Sequence, residues 1–227
     1  MLTSNLIAPP VTIAPLENGD QLTRFEFERR YQAMPHLKKA ELIEGIVYMA
    51  SALRIKSHGE PHAYIIGWLI TYKASTPGVQ VGDNATVRLD TDNEVQPDAL
   101  LRIEQGGTSR ISEDDYVEGA PELIVEIAAS TVSIDRHQKL KVYRRNGVQE
   151  YVIWRVDDGE LDWFYLQDGE YRQGEANAEG MICSQVFPGL WLDKAALLSG
   201  DLAKVLAGLQ GGLRSEEYLA FVGSLGK

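Results

Sequence analysis

Apolar residues recur in two spacings along this chain, and their order predicts a fold. Residues 22–34 have helical spacing, with Thr23 placed as an N-cap, Glu26 in the capping-box position and Pro35 as the stop. Residues 40–50 (AELIEGIVYMA) are rich in strand formers, with Gly45 as a bend or bulge. Residues 58–75 set Ile65, Trp68, Leu69 and Tyr72 at helical spacing before Pro77-Gly78 ends the run. Two strand-like runs, 79–89 and 99–103, flank the polar DTDNEVQPD and predict a hairpin. LIVEIA, residues 123–128, is almost continuously apolar, as in a strand buried on both faces. Residues 132–146 predict a helix ended by Gly147, and EYVIWRV, residues 150–156, another buried strand. Residues 161–166, 170–173 and 181–187 predict a β meander turning at Asp168-Gly169. Residues 193–225 read as two helices broken near Gly211-Gly212.

The order helix, hairpin, strand, helix, strand is α/β, or α+β mixed: a mixed central sheet flanked by helices. The runs 79–89, 99–103, 123–128 and 150–156 are expected to share that sheet. An irregular lead-in over 1–20, a domain over 21–199 and a helical appendage over 200–227 are the expected parts. With 227 residues the chain can bury a core without staples, and Cys183, the single cysteine, excludes a disulfide framework or a cysteine zinc cluster. Residues 1–20 lack the basic start and apolar run of a signal peptide. Apolar stretches fall far short of the ~20 residues that span a bilayer. A cytoplasmic protein with no membrane partner is expected.

Charge narrows the partners. Lys and Arg number 22 against 33 Asp and Glu, a net of −11. Phosphate contacts come from basic residues, so tight nonspecific duplex binding by the bare chain is disfavoured. If the chain meets nucleic acid, Lys38, Lys39, Arg54 and Lys56 are the candidate basic approach.

Two acids stand out. Asp98 follows Pro97 at a strand start, and Glu126 sits inside LIVEIA, where a charge is costly unless paired or metal-bound. Alone, Asp98 reads as a turn residue and Glu126 as half of an internal salt bridge. On adjacent strands they could meet, and hard oxygen ligands suit Mg²⁺ or Mn²⁺. Asp135, Lys139 and Tyr143 are four apart on the following helix and share a face, so Lys139 could reach inward with Asp135 holding it. Lys141 points ~200° away and should face solvent. Ser130-Thr131 reads as a helix cap rather than a nucleophile, and neither a Walker loop nor GxGxxG is present.

Pro97-Asp98 followed by Glu126 resembles the PD-(D/E)XK nuclease superfamily, the restriction-endonuclease-like fold. More closely, AELIEG, VQPDALL, PELIVEIAAS, DRHQKLKVYRRNGVQEYVIW and FPGLWLD resemble the Uma-two family of restriction-endonuclease-like proteins, over roughly residues 23–198. Ala128 stands where the superfamily has its lysine, and the Uma-two pattern offers a lysine on the next helix, here Lys139, with Lys141 as backup. The resemblance implies a Mg²⁺-dependent DNA endonuclease acting through metal-activated water. Asp98, Glu126 and Lys139 would be catalytic, and Asp98, Glu126 and the Ile127 backbone carbonyl would be the metal ligands. Glu41 and His58 could complete the site, although His58 on its own reads as a helix-start or packing residue. The alternatives are a catalytically silent member of the fold serving as a binding or assembly module, and a metal-dependent hydrolase of another substrate. A homodimer is left open.

Overall fold

The computed structural model describes residues 12–49, 52–129 and 131–225. Most of the expected lead-in, the Ala50 end of the 40–50 run and Ser130 of the expected cap lie outside the described residues.

Helix α1 (Arg24–Gln32) starts after Thr23, but the Thr23 side chain makes no capping bond. Glu26 does not reach back either, because Arg29 and Arg30, one turn on, both bind it. The 40–50 run is a hairpin rather than one strand: β1 (Ala40–Ile43) and β2 (Ile46–Met49) pair antiparallel. Glu44 and Gly45 turn it with φ of 52° and 75°, the left-handed pair that matches strand twist. Apolar alternation runs straight across this turn, which hides it in the sequence. A π-helical turn (Ile55–Gly59) then leads into α2 (Glu60–Ser75), which buries Ile65, Trp68, Leu69 and Tyr72.

The next segment holds β3 (Val79–Asp83), β4 (Val87–Asp90), β5 (Asn93–Val95), β6 (Ala99–Ile103), β7 (Ser109–Ile111), β8 (Val117–Gly119) and β9 (Leu123–Ala128). A second π-helical turn (Ile134–Lys139) continues as α3 (Leu140–Asn146), closed by Gly147 at φ 83°. Then follow β10 (Glu150–Arg155), β11 (Glu160–Gln167), β12 (Glu170–Gln173), β13 (Met181–Cys183), β14 (Trp191–Asp193), α4 (Lys194–Leu198), α5 (Leu202–Gly212) and α6 (Glu216–Ser224).

The central sheet has the order β12-β11-β10-β9-β6-β3, with β9 and β10 parallel. All four expected runs contribute to it, but residues 79–89 split at Asn84, whose φ is positive. β3 pairs with β6, while β4 joins a second sheet of order β2-β1-β5-β4-β8-β7. That second sheet is the main departure from the sequence expectation. The supposed polar turn DTDNEVQPD contains β5, all three residues of which are buried. Asn93 can be buried because its side chain accepts from the Glu44 N–H and donates to Asp90. β13 leaves the expected meander and pairs with β14 instead. The C-terminal region has three helices rather than two. Gly211-Gly212 lies inside α5, where Gly212 packs so closely on Gly189 that a Cβ would fall 2.2 Å from its carbonyl oxygen.

One face of the central sheet packs against α2 and the C-terminal helices through Trp68, Val125, Trp163 and Leu209. The opposite face packs against α3 and the second sheet through Ile43, Val87, Ile124, Tyr143 and Tyr151. Strand pleating puts Glu126 on this second face with Ile124 and Ala128. No described helix is long and apolar enough to cross a membrane.

Candidate active site

The site forms where the β6–β9 ladder runs out. Ala99 pairs with Val125, and Pro97, two residues back, has no N–H to continue the ladder. Asp98 takes over: its Oδ2 accepts the Ile127 N–H at 2.7 Å. In an extended strand a residue's C=O leaves on the same side as its N–H, so the Ile127 carbonyl also points toward this broken edge. Asp98 Oδ1 lies 3.2 Å from His58 Nε2 and 3.5 Å from Lys39 Nζ. His58 comes from the π-helical turn before α2. Its Nδ1 is buried with no hydrogen-bond partner among the described residues. His62, one turn on, bonds the Asp98 carbonyl at 2.9 Å and Asp83 at 3.1 Å.

Glu126 points to the other side, into α3 and its π-helical turn. Its Oε1 accepts from Lys139 Nζ at 2.9 Å and from the Tyr143 hydroxyl at 2.7 Å. No hydrogen bond to Oε2 is found among the described residues. Lys139 Nζ is also 2.9 Å from Glu41 Oε1 and 3.7 Å from Asp135 Oδ1. Glu41 reaches in from β1 of the second sheet and accepts the Gln96 N–H at 2.8 Å. The Asp135 carbonyl accepts from the Tyr151 hydroxyl at 3.1 Å. Asp98, Glu126 and Lys139 are each only 3% exposed and Asp135 is 2% exposed, yet all four line a cavity of about 680 Å³.

The charges in this cavity do not balance. Four carboxylates (Glu41, Asp98, Glu126, Asp135) face two ammonium groups (Lys39, Lys139) and the His58 imidazole. Arg54 and Asp157 also line the cavity with opposite charges, so full ionisation of these acids would leave carboxylates in excess of cations. Burial alone would raise the Asp98 carboxyl, but His58, Lys39 and the Ile127 N–H hold it well below the usual carboxylate range. For Glu126, burial and the nearby Asp135, Asp98 and Glu41 outweigh Lys139, and its carboxyl is pushed up. Burial would lower the Lys139 ammonium, but Glu126, Glu41 and Asp135 hold it well above its ordinary value. Lys139 is therefore charged, and the carboxylates around it lack a full complement of cations.

Seven residues singled out in the sequence line this cavity: Glu41, His58, Asp98, Glu126, Ile127, Asp135 and Lys139. Lys141 is exposed, as its helix position predicts. His58 is a direct neighbour of Asp98 rather than a plain packing residue. Of the four basic candidates, Lys39 and Arg54 line the cavity, while Lys38 and Lys56 do not. Sequence reading gave Tyr143 only a shared helix face. Its place four residues after Lys139 was the available signal for its bond to Glu126.

The donors available to a hard divalent ion are all oxygen: Asp98 and the Ile127 carbonyl on the broken edge, and Glu126 Oε2 lining the same cavity. Among the described residues no three His, Cys, Asp or Glu side chains converge as a cage. Such an ion would keep several waters, as Mg²⁺ commonly does.

Over residues 25–195 the chain matches the family described as "Uma2: Putative restriction endonuclease". Among solved structures it is similar to "a putative nuclease belonging to DUF820 from Anabaena variabilis ATCC 29413", at 14% identity and a TM-score of 0.57. The match covers 75% of this chain and 96% of that chain, and at this identity it speaks for the fold alone. No curated protein matches.

Proposed function

This chain belongs to the Uma2 family, and from that premise we propose that it is a magnesium-dependent nuclease that hydrolyses DNA phosphodiester bonds. The observation that carries the reading is the crowding of carboxylates around Asp98 and Glu126 with too few cations to match them once ionised, which a divalent cation offsets. Asp98, Glu126 and the Ile127 carbonyl would hold the ion. When bound, it supplies Lewis-acid charge neutralisation and lowers the pKa of a coordinated water.

The chain's own groups have separable tasks. His58 and Lys39 keep Asp98 ionised and ready to bind a cation. Tyr143 and Lys139 fix Oε1 of Glu126, which leaves Oε2 as the ligand oxygen. Glu41 and Asp135 hold the Lys139 ammonium beside Glu126, where it can face negative charge developing on a phosphoryl oxygen. Lys139 thereby takes the task that Ala128, two residues after Glu126, has no side chain to perform.

The test is cleavage of labelled DNA in Mg²⁺, Mn²⁺ or EDTA, with calorimetric Mn²⁺ binding alongside. Cleavage that needs the metal and is lost in Asp98→Ala is expected. A folded protein that neither binds Mn²⁺ nor cleaves would overturn the proposal. The net charge of −11 favours a second reading, a silent binding module of the same fold. That reading predicts bound nucleic acid or protein without strand scission.

A further inference from the structure

We infer that this site takes a single divalent ion, because the Lys139 ammonium fills the second cation position that its carboxylates form. The inference deepens the nuclease reading and rests on it for the first position, at Asp98, Glu126 and the Ile127 carbonyl.

The first argument is how the oxygens are divided. Glu41, Glu126 and Asp135 come from three separate elements: β1, β9 and the π-helical turn before α3. All three meet one ammonium. Lys139 Nζ stands 2.9 Å from Glu41 Oε1, 2.9 Å from Glu126 Oε1 and 3.7 Å from Asp135 Oδ1. Among the described residues no other cation is within ion-pair reach of these acids. Two-ion hydrolytic sites set their metals ~3.5–4 Å apart, a spacing at which one carboxylate can serve both. Glu126 is placed to do so, with Oε1 on the ammonium and Oε2 beside the first position. A second divalent ion would also need Glu41 or Asp135, and both are committed to Lys139.

The second argument is size. Separations of 2.9 and 3.7 Å are far wider than the ~2.0–2.1 Å of Mg²⁺ to its ligands. The shorter one is that of an ammonium hydrogen-bonded to a carboxylate, ~2.7–2.9 Å. The acids are thus spaced for Lys139, which is why they form no ready-made cage for a small ion.

The third argument is the tether. Lys139 is 3% exposed, and the helix it leads into is anchored by the buried Val142 and Tyr143. A bound ion exchanges with solvent. This charge is fixed to the chain, so its position is filled at every metal concentration.

The experiment counts Mn²⁺ ions per chain by calorimetry. Wild type should bind one. Lys139→Ala removes the ammonium and its stem, and should bind one ion more, more weakly, because the acids must draw inward to reach it. Adding Asp135→Asn to that variant should abolish the gained ion. Lys141→Ala, on the exposed side of α3, should keep the wild-type count. If Lys139→Ala unfolds without metal, Mn²⁺ should refold it. The power of free Mn²⁺ on which refolding depends then counts the ions, and it should exceed the wild-type count by one. Two ions in wild type, or no gain in Lys139→Ala, would overturn the inference and leave the nuclease reading standing. No ion in wild type but one in Lys139→Ala would uphold the role of Lys139 and sink the metal-dependent nuclease reading. No ion in either would sink both.

Discussion

Two glutamates sit fully within neighbouring strands of one sheet, and their surroundings differ in kind. Glu150, at the start of β10, is 0% exposed and is met only by neutral donors. The Gln185 N–H at 2.6 Å, the Val186 N–H at 3.0 Å, the Ser184 hydroxyl and the Trp163 indole N–H at 3.1 Å all reach its carboxylate. It ties the sheet to the segment before β14. Glu126, one strand over, has one neutral donor, Tyr143, and shares a single ammonium with Glu41 and Asp135. It also borders a cavity. A buried acid is therefore not in itself a sign of chemistry. Saturation by neutral donors marks a structural role, and a shared cation beside open space marks a site with charge still to be matched.

The largest test of this contrast is Lys139→Met. It leaves Glu41, Glu126 and Asp135 without their common cation, and breaking a buried pair in this way costs about 3–5 kcal/mol. Urea denaturation in EDTA should show that loss, and adding Glu126→Gln to the variant should recover part of it. A loss under about 1 kcal/mol would mean that the ammonium is not what holds the cluster together. The two glutamine substitutions should then part company. Glu150→Gln turns an amide NH₂ toward donors and should cost about 1–3 kcal/mol while Mn²⁺ binding is kept. Glu126→Gln fixes the neutral form that burial and the neighbouring acids favour, so stability in EDTA should hold or rise while Mn²⁺ binding disappears. If both variants lose stability equally and both bind Mn²⁺, the contrast fails.

The sequence shows these two regions unequally. Glu126 interrupts LIVEIA and so announces itself, and Lys139 follows from the four-residue spacing of Asp135, Lys139 and Tyr143. The four core strands are legible because long apolar runs leave little choice of burial. Glu150 stands at the edge of its apolar run and gives no hint that four different groups will saturate it. The pairing of Asp98 with His58 and Lys39 depends on a π-helical turn and on the residue just before a strand of another sheet, and no local spacing encodes either. The second sheet is hidden for a related reason. Its β5, NEV, opens on two polar residues, and Asn93 is made burial-compatible by bonds to the Glu44 N–H and the Asp90 carboxylate. Alternation rules see hydrophobic faces and miss a strand stabilised by polar partners.

A smaller effect tests the electrostatic half of the contrast. The folded-state pKa of Glu126 lies above its ordinary value of 4.5, at about 8, with burial the first cause. Burial also pushes Glu150 up, to about 7, against its neutral donors. In both cases the folded protein holds protons more tightly than the unfolded chain. Each stabilising contribution is therefore complete below pH 4.5 and is lost as pH rises through the folded-state value. Metal-free stability should fall as pH rises across that window. Saturating Mg²⁺ should remove the Glu126 share, because the ion replaces the proton, and leave the Glu150 share untouched. Denaturation midpoints measured from pH 5 to 8 with and without Mg²⁺ check this. A slope indifferent to Mg²⁺ would place the ion elsewhere.

The finest test compares two tyrosine hydroxyls in one aromatic cluster. Tyr143 donates to Glu126 Oε1 at 2.7 Å, and Tyr171 donates to the Val148 carbonyl at 2.9 Å. Both rings pack against Tyr151, so each substitution by Phe keeps the packing and deletes one hydrogen bond. Each should cost about 1 kcal/mol of stability, the usual net worth of such a bond. Only Tyr143→Phe frees the Glu126 carboxylate to turn, since Lys139 alone would then hold Oε1. A ligand oxygen that must be re-fixed on binding weakens the metal site, and losing a group that orients a ligand costs about 10-fold or more in affinity. Tyr143→Phe should therefore weaken Mn²⁺ binding in calorimetry, and Tyr171→Phe should not. Equal Mn²⁺ affinities in the two variants would show that the Tyr143 bond has a structural role only, as the donors to Glu150 have for their own carboxylate.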